Sequence, residues 1–324
     1  MQMLPILALL AILAQTPPKP AAPPAAQPAA PGDALQVQVM LDRAGFSPGP
    51  IDGRMGMNTK KALEALQKNG NTGVPSGEAL TTYTITPEDA AGPFIDGVPS
   101  DMMAMSKLSA LGYASIAEAL AERFHTTPQF LERLNQGAQF TAGQQIQVPN
   151  VEPMTIPAPK EAPKDAPKDA ARGKNAPANP TPAAPPKPDV VVTVSKTTSA
   201  ATATDASGKV IFYAPVTTGS EHDPLPIGEW KVNGVQLHPT FRYNPDLFWD
   251  AEPSHSKATI PPGPNNPVGV VWIDLSKPHY GLHGTPEPST IGRTQSHGCV
   301  RLTNWDALRL AALVKPGTRV VFTE

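Results

Sequence analysis

One cysteine, Cys299, stands in the run Ser296-His297-Gly298-Cys299-Val300-Arg301, and a second His-Gly pair, His283-Gly284, lies upstream of it. A thiol attacks well only as thiolate, so it needs a partner that takes or balances its proton. Histidine does this near neutral pH. A glycine at 298 lets the backbone approach a carbonyl closely. The N–H groups around Gly298 and Cys299 could then receive a developing oxyanion. In an extended segment Arg301 faces the same side as Cys299, and its guanidinium suits a substrate carboxylate. These residue types together point to acyl transfer through a thioester.

Other chemistries use some of the same residues. His283, His297 and Cys299, with His279 or His255, could ligate zinc, but no helical H-x-x-x-H or C-x-x-C spacing accompanies them. The expectation is therefore no metal and no cofactor. A papain-like protease would place cysteine before histidine; here His283 comes first, although triads recur in different orders. An intermolecular disulfide through Cys299 would leave the histidines unexplained. A non-catalytic binding protein would not need the full set. His125, His222 and His238 read as surface or structural residues.

The elements that must position this set are mostly strands. Val190–Val194, Val210–Tyr213, Glu229–Val232, Val268–Ile273 and Arg319–Phe322 are β-rich runs separated by Gly, Pro and Asn. One helix is expected over 305–314, with Asn304 as its cap and Trp305, Leu308, Ala312 and Leu313 along it. A unit of about 135 residues can bury its own core.

With these residues in place, His283–Leu302 resembles the catalytic signature of the L,D-transpeptidases: H-G, a spacer, then [ST]-H-G-C-[IV]-R-[LM]. The likeness continues to Trp305-Asp306-Ala307 and upstream through Pro224–Trp230, Phe241–Phe248 and Val268–Gly281, covering essentially all of 189–324. The resemblance implies a mainly β catalytic domain, a mixed β-sandwich with the Cys299 loop at one end of a groove. It implies Cys299 as nucleophile and His283 as general base and acid, oriented by a backbone carbonyl near Gly284. Ser296, His297 and Gly298 would support the loop. Arg301 would orient the donor peptide, and Tyr280 is a further candidate for contacting it. Such enzymes cut the amide before D-Ala in a peptidoglycan tetrapeptide stem and pass the acyl group to an amine. That makes a 3–3 crosslink or attaches another amine; water as acceptor would make an L,D-carboxypeptidase.

The rest of the 324-residue chain reads as a multidomain, exported protein. Residues 1–14 carry an apolar run, Leu4–Leu13, of signal-peptide length. Cleavage would free the protein into the periplasm or cell wall; an uncleaved segment would be its only link to a membrane. Residues 15–33 form a Pro/Ala-rich tether and 151–188 a Pro/Ala/Lys-rich linker, and these hold much of the excess of proline, 41 residues in all. Neither can build a core. Between them, 34–83 holds a Gly45–Thr59 turn that resembles the turn of small all-α peptidoglycan-binding domains, with helices on both sides, the second capped at Asn58 or Thr59. Residues 106–150 resemble an α+β LysM module, a β-α-α-β fold that binds N-acetylglucosamine polymers. Its opening strand falls on Leu108–Ser115, departing from the usual pattern, so glycan binding and a plain spacer both stand. Ile116, Ala119, Leu120 and Phe124 mark one helical face there. The formal net charge of −2 gives no reason to expect nucleic acid as a partner.

Overall fold

The computed structural model describes residues 31–70, 77–158 and 187–324. The leader, nearly all of the tether and residues 159–186 of the second linker lie outside the described residues. Among those described, no helix is long and apolar enough to cross a membrane.

Helices α1 (Pro31–Arg43) and α2 (Met57–Lys68) flank the glycine-rich turn. Leu35, Val37, Val39 and Leu41 alternate as a strand would, but the chain is helical there. The second helix is capped by Gly56, without a side-chain cap, rather than by Asn58 or Thr59. Two helices of this length cannot enclose a core of their own. Their apolar residues are divided instead. Met40, Leu41, Phe46, Ala62 and Leu66 pack with Ala200 and Tyr213 of the C-terminal unit, whereas Val39 and Ile51 join the core of the central unit.

The central unit has strand β1 (Leu80–Thr84), short helices α3 (Pro87–Ala91) and α4 (Met102–Met105), then α5 (Ile116–Arg123), α6 (Pro128–Leu134) and β2 (Gln145–Pro149). The two strands pair antiparallel, Leu80 with Pro149 through Thr84 with Gln145. The strand that opens this unit is thus Leu80–Thr84, not Leu108–Ser115, and the chain between carries α3 and α4. Ser115 and Thr127 cap α5 and α6 with their hydroxyls. The buried face of α5 comprises Ala117, Leu120, Ala121 and Glu122. Ala117, Ala121 and Glu122 were not on the face marked from sequence.

The C-terminal unit is built on β3 (Val191–Ser195), β4 (Ala200–Thr204), β5 (Val210–Pro215), β6 (Gly228–Leu237), β7 (Phe241–Tyr243), β8 (Ala258–Ile260), β9 (Val271–Leu275), β10 (Gly281–His283), β11 (Val300–Arg301), helix α7 (Asn304–Leu313) and β12 (Arg319–Thr323). Eight strands form one ladder in the order β11-β10-β9-β6-β12-β3-β4-β5, and β7 pairs with β8 apart from it. The ladder passes from one half to the other through β6, the longest strand. Its first residues pair with β12 and, past an irregularity at Val232–Gly234, its later ones pair with β9. Both halves contribute to one core: Val192, Val194, Ala203 and Phe212 from one, Ile273, Leu282 and Val300 from the other, with Leu310 and Val314 around α7. The expected sandwich is therefore a single sheet curled about its core, not two separate sheets. Thr303, not Asn304, caps α7 by accepting from the Asp306 N–H.

Candidate active site

Strands β10 and β11 run parallel, with Leu282 opposite Val300 and His283 opposite Arg301. Side chains alternate along a strand. Leu282 and Val300 point into the core, both almost fully buried. His283 and Arg301 therefore take the other face; Cys299 lies one residue before β11, and the Arg301 charge acts on both it and His283. A two-residue parallel bridge thus brings His283 back against the end of the cysteine motif, Val300-Arg301.

His283 is buried and accounts for its hydrogen bond locally. Its Nδ1 lies 2.7 Å from the Gly284 carbonyl oxygen, which accepts from an Nδ1–H tautomer and leaves Nε2 as the basic nitrogen. The ring stacks on Trp272, centroids 5.5 Å apart and planes within 18°. Burial, and then the charge of Arg301, lower its pKa to about 3 against the opposing pull of the Gly284 carbonyl. Burial likewise pushes the Cys299 thiol up, opposed by a backbone hydrogen bond from Gly281 and by Arg301. Both effects favour a neutral thiol and a neutral imidazole over a thiolate–imidazolium pair. The thiol donates to the His279 carbonyl, 3.6 Å away.

The other site candidates hold the loop around Cys299. Ser296 Oγ donates to the Cys299 carbonyl at 2.5 Å, and its N–H donates to Thr218 O at 3.0 Å. Gly298 has φ +98°, and a Cβ there would meet Tyr280 Cε1 at 2.8 Å; no other residue type fits that turn under that ring. His297 is engaged elsewhere: its Nε2 lies 2.8 Å from Asp250 Oδ1 and its ring stands edge-on to Phe248. Arg301 Nη1 reaches the Gln295 carbonyl at 3.5 Å. Among the described residues no three His, Cys, Asp or Glu side chains converge as metal ligands would. His255 bonds Tyr243 and Asp101, and His279 sits in the left-handed region with φ 67°.

Residues 189–322 match the YkuD family, described as the L,D-transpeptidase catalytic domain. This segment is a YkuD-type L,D-transpeptidase domain. The putative L,D-transpeptidase YkuD of Bacillus licheniformis is 53% identical over 62 residues, 19% of this chain and 38% of that protein. The probable L,D-transpeptidase YbiS of Escherichia coli K12 is 34% identical over 119 residues, 35% of this chain and 38% of that protein. The chain thus spans well under two thirds of these relatives. Among solved structures, an L,D-transpeptidase from Mycobacterium smegmatis covers 42% of this chain and 59% of its own, at 17% identity and a TM-score of 0.35.

Several residues near the transpeptidase domain's candidate site were not singled out in the sequence as site residues. Trp272 supplies the surface on which His283 lies. Segment 245–250 stands beside the cysteine loop, where Phe248, Trp249 and Asp250 all contact His297, and Trp249 also stacks on His222 at 4.5 Å. Asn304 is fully buried, and its amide lies against Gly284 so closely that a Cβ at Gly284 would overlap Oδ1. The signature-like turn of the N-terminal helical pair also faces this domain. Asn58 Nδ2 donates to Ile291 O at 3.0 Å, within the loop between His283 and Cys299, and Ser47 Oγ donates to Asp306 at 2.8 Å. His125, read as a surface or structural residue, is fully buried and stacked on Trp305.

Proposed function

We propose that this protein is an exported L,D-transpeptidase that acts on peptidoglycan tetrapeptide stems through a thioester on Cys299. The observation that supports the reading is the register of β10 and β11, which sets His283 opposite Arg301, two residues from Cys299. Arg301 holds a carboxylate of the donor stem beside the Tyr280 ring. As the Cys299 sulfur bonds to the carbonyl carbon, the thiol proton passes to His283 Nε2. The C–N bond to D-Ala then breaks, and His283 returns that proton to the departing amine. N–H groups at Gly298 and Cys299 receive the oxyanion in both steps. An acceptor amine next attacks the thioester, gives a proton to His283, and frees the thiol, leaving a 3–3 crosslink or another amide. A neutral resting pair suits this cycle, because neither group is spent in an ion pair before substrate arrives.

Export through residues 1–14 places the enzyme in the periplasm or cell wall, and the LysM-like unit adds glycan strands as a second contact. Water in place of the amine would give L,D-carboxypeptidase action by the same residues. Incubation of the purified protein with disaccharide-tetrapeptides, read by mass spectrometry, tests the proposal. The expected products are crosslinked dimer and free D-Ala, lost in Cys299→Ala and unaffected by EDTA. Tripeptide alone assigns water as the acceptor. Loss of activity with EDTA, or turnover that survives Cys299→Ala, rejects the thiol mechanism.

A further inference from the structure

We propose that Glu122, on α5 of the LysM-like unit, is a positioning residue for His283, acting through Asn304 and Gly284. This rests on the reading of His283 as the proton carrier for Cys299.

The link is made of contacts between buried groups. Asn304 Nδ2 donates to Glu122 Oε1 at 2.7 Å and to Pro264 O at 3.2 Å, while Asn304 Oδ1 accepts from the Val270 N–H at 3.1 Å. The other carboxylate oxygen of Glu122 accepts from Tyr113 O–H at 2.5 Å. The amide of Asn304 therefore has one permitted orientation. Turned over, it would set its NH2 against an N–H donor and its oxygen against a carboxylate. An unmade hydrogen bond at a buried group is costly, so Glu122 fixes the flip state of Asn304.

That orientation matters because of what lies on the other side of the amide. Oδ1 is wedged against Gly269 and Gly284, and a Cβ on either glycine would overlap it. Gly284 is the residue whose carbonyl holds His283 Nδ1. A swing of Asn304 thus moves the acceptor that sets the tautomer and plane of the imidazole. The carboxylate at 122 is an expensive choice for a mere packing position. Burial pushes its pKa up to about 7, with Glu118 adding to the rise and Tyr113 and Asn304 opposing it. A methionine would fill the same space without that cost.

The test uses the full chain and four variants: Glu122→Met, Glu122→Gln, Tyr113→Phe and, for assignment, His283→Gln. Two readouts are taken: the protonation pattern of the His283 ring nitrogens by long-range 1H–15N NMR, and turnover of disaccharide-tetrapeptide. Glu122→Met should replace the single Nδ1–H tautomer by an average of two. It should lower kcat about tenfold, as a small misplacement of a catalytic group does, with KM within about twofold. Glu122→Gln, which keeps an acceptor for Asn304, should restore both. Tyr113→Phe removes the other partner of Glu122 and should leave both as in the parent. Should Glu122→Met fail to fold, Asn304→Ala cuts the link from its other end and carries the same expectation. An unchanged His283 tautomer with kcat within about twofold in the variant that cuts the link overturns the proposal. The NMR readout does not depend on turnover. An inactive parent protein with a responsive tautomer therefore rejects the functional reading and leaves the linkage standing.

Discussion

Arg309 grips Asp42 with both ends of its guanidinium, Nη2 to Oδ1 at 2.8 Å and Nη1 to Oδ2 at 3.0 Å. One residue belongs to the helix that follows the cysteine motif, the other to α1. The Asp42 side chain is fully buried, and His125 Nδ1 lies 3.0 Å from the same carboxylate. The three units are joined at this point by charge as well as by apolar surface.

Removing the carboxylate strands a partly buried arginine and a buried histidine. Asp42→Ala is expected to destabilise the protein by about 3–5 kcal/mol, the usual cost of breaking a buried pair from one side. Urea unfolding followed by tryptophan fluorescence measures this. Loss below about 1 kcal/mol would show that the interface does not depend on the pair.

Stability should respond to pH through two buried acids of opposite behaviour to Asp42. Burial raises Glu122 to about 7 and Asp306 to about 6. A raised carboxyl pKa means the folded state holds a proton that the unfolded state has released. That contribution is complete below about pH 4 and is lost as pH climbs through about 6 to 7. Thermal midpoints should therefore fall between about pH 5 and 8, and Glu122→Gln should flatten the fall by up to about 3 kcal/mol. Asp42, held well below the usual range by His125 and Arg309 despite its burial, works the other way, losing its contribution as the medium becomes more acid than about pH 4. A midpoint that rises over the same range would contradict the assignment.

The neutral thiol–imidazole pair has a kinetic signature. Alkylation of Cys299 by iodoacetamide should accelerate steadily from about pH 6 to 9, about tenfold per unit while the thiol stays protonated. A thiolate–imidazolium pair would instead react at a near-constant rate down to about pH 5. A plateau on the acid side would refute the neutral pair.

Arg301 carries the expectation for donor recognition. Arg301→Lys keeps the charge but loses the planar fork. KM for the tetrapeptide donor should rise about tenfold while kcat changes little. Comparison with a donor whose terminal carboxylate is amidated checks this, because the variant should discriminate less between the two. Equal discrimination would remove Arg301 from that role.

The candidate site was legible because its residue types are rare and closely spaced, and the longer strand runs carried enough β-branched residues to be read directly. What escaped was decided by neighbours distant in sequence. Gly281–His283 and Val300–Arg301 are too short to show any period, and they become strands only by pairing with each other. Ala200–Thr204 is built of alanine and threonine, so its alternation is faint. Leu80–Thr84 is largely polar and owes its conformation to Gln145–Pro149. Thr303 and Asn304 are both good caps, and the choice fell to threonine because the asparagine is committed to Val270 and Glu122. Glu122 reads as a solvent-facing helix residue; a second unit docked against α5 is what buries it.

The docking has a consequence for the covalent link between the units. Ala158 and Lys187, on either side of residues 159–186, belong to parts of one packed body. Nearby, His238 Nε2 lies 2.6 Å from the Pro157 carbonyl, and Lys187 donates to Ala311 O and Val314 O, each at 2.8 Å. Peptide continuity across 159–186 is then needed to bring the halves together, not to keep them together. The protein is in effect a natural candidate for splitting, two separately made pieces that reassemble through Asp42, Glu122 and His125 on one side and Arg309, Asn304 and Trp305 on the other.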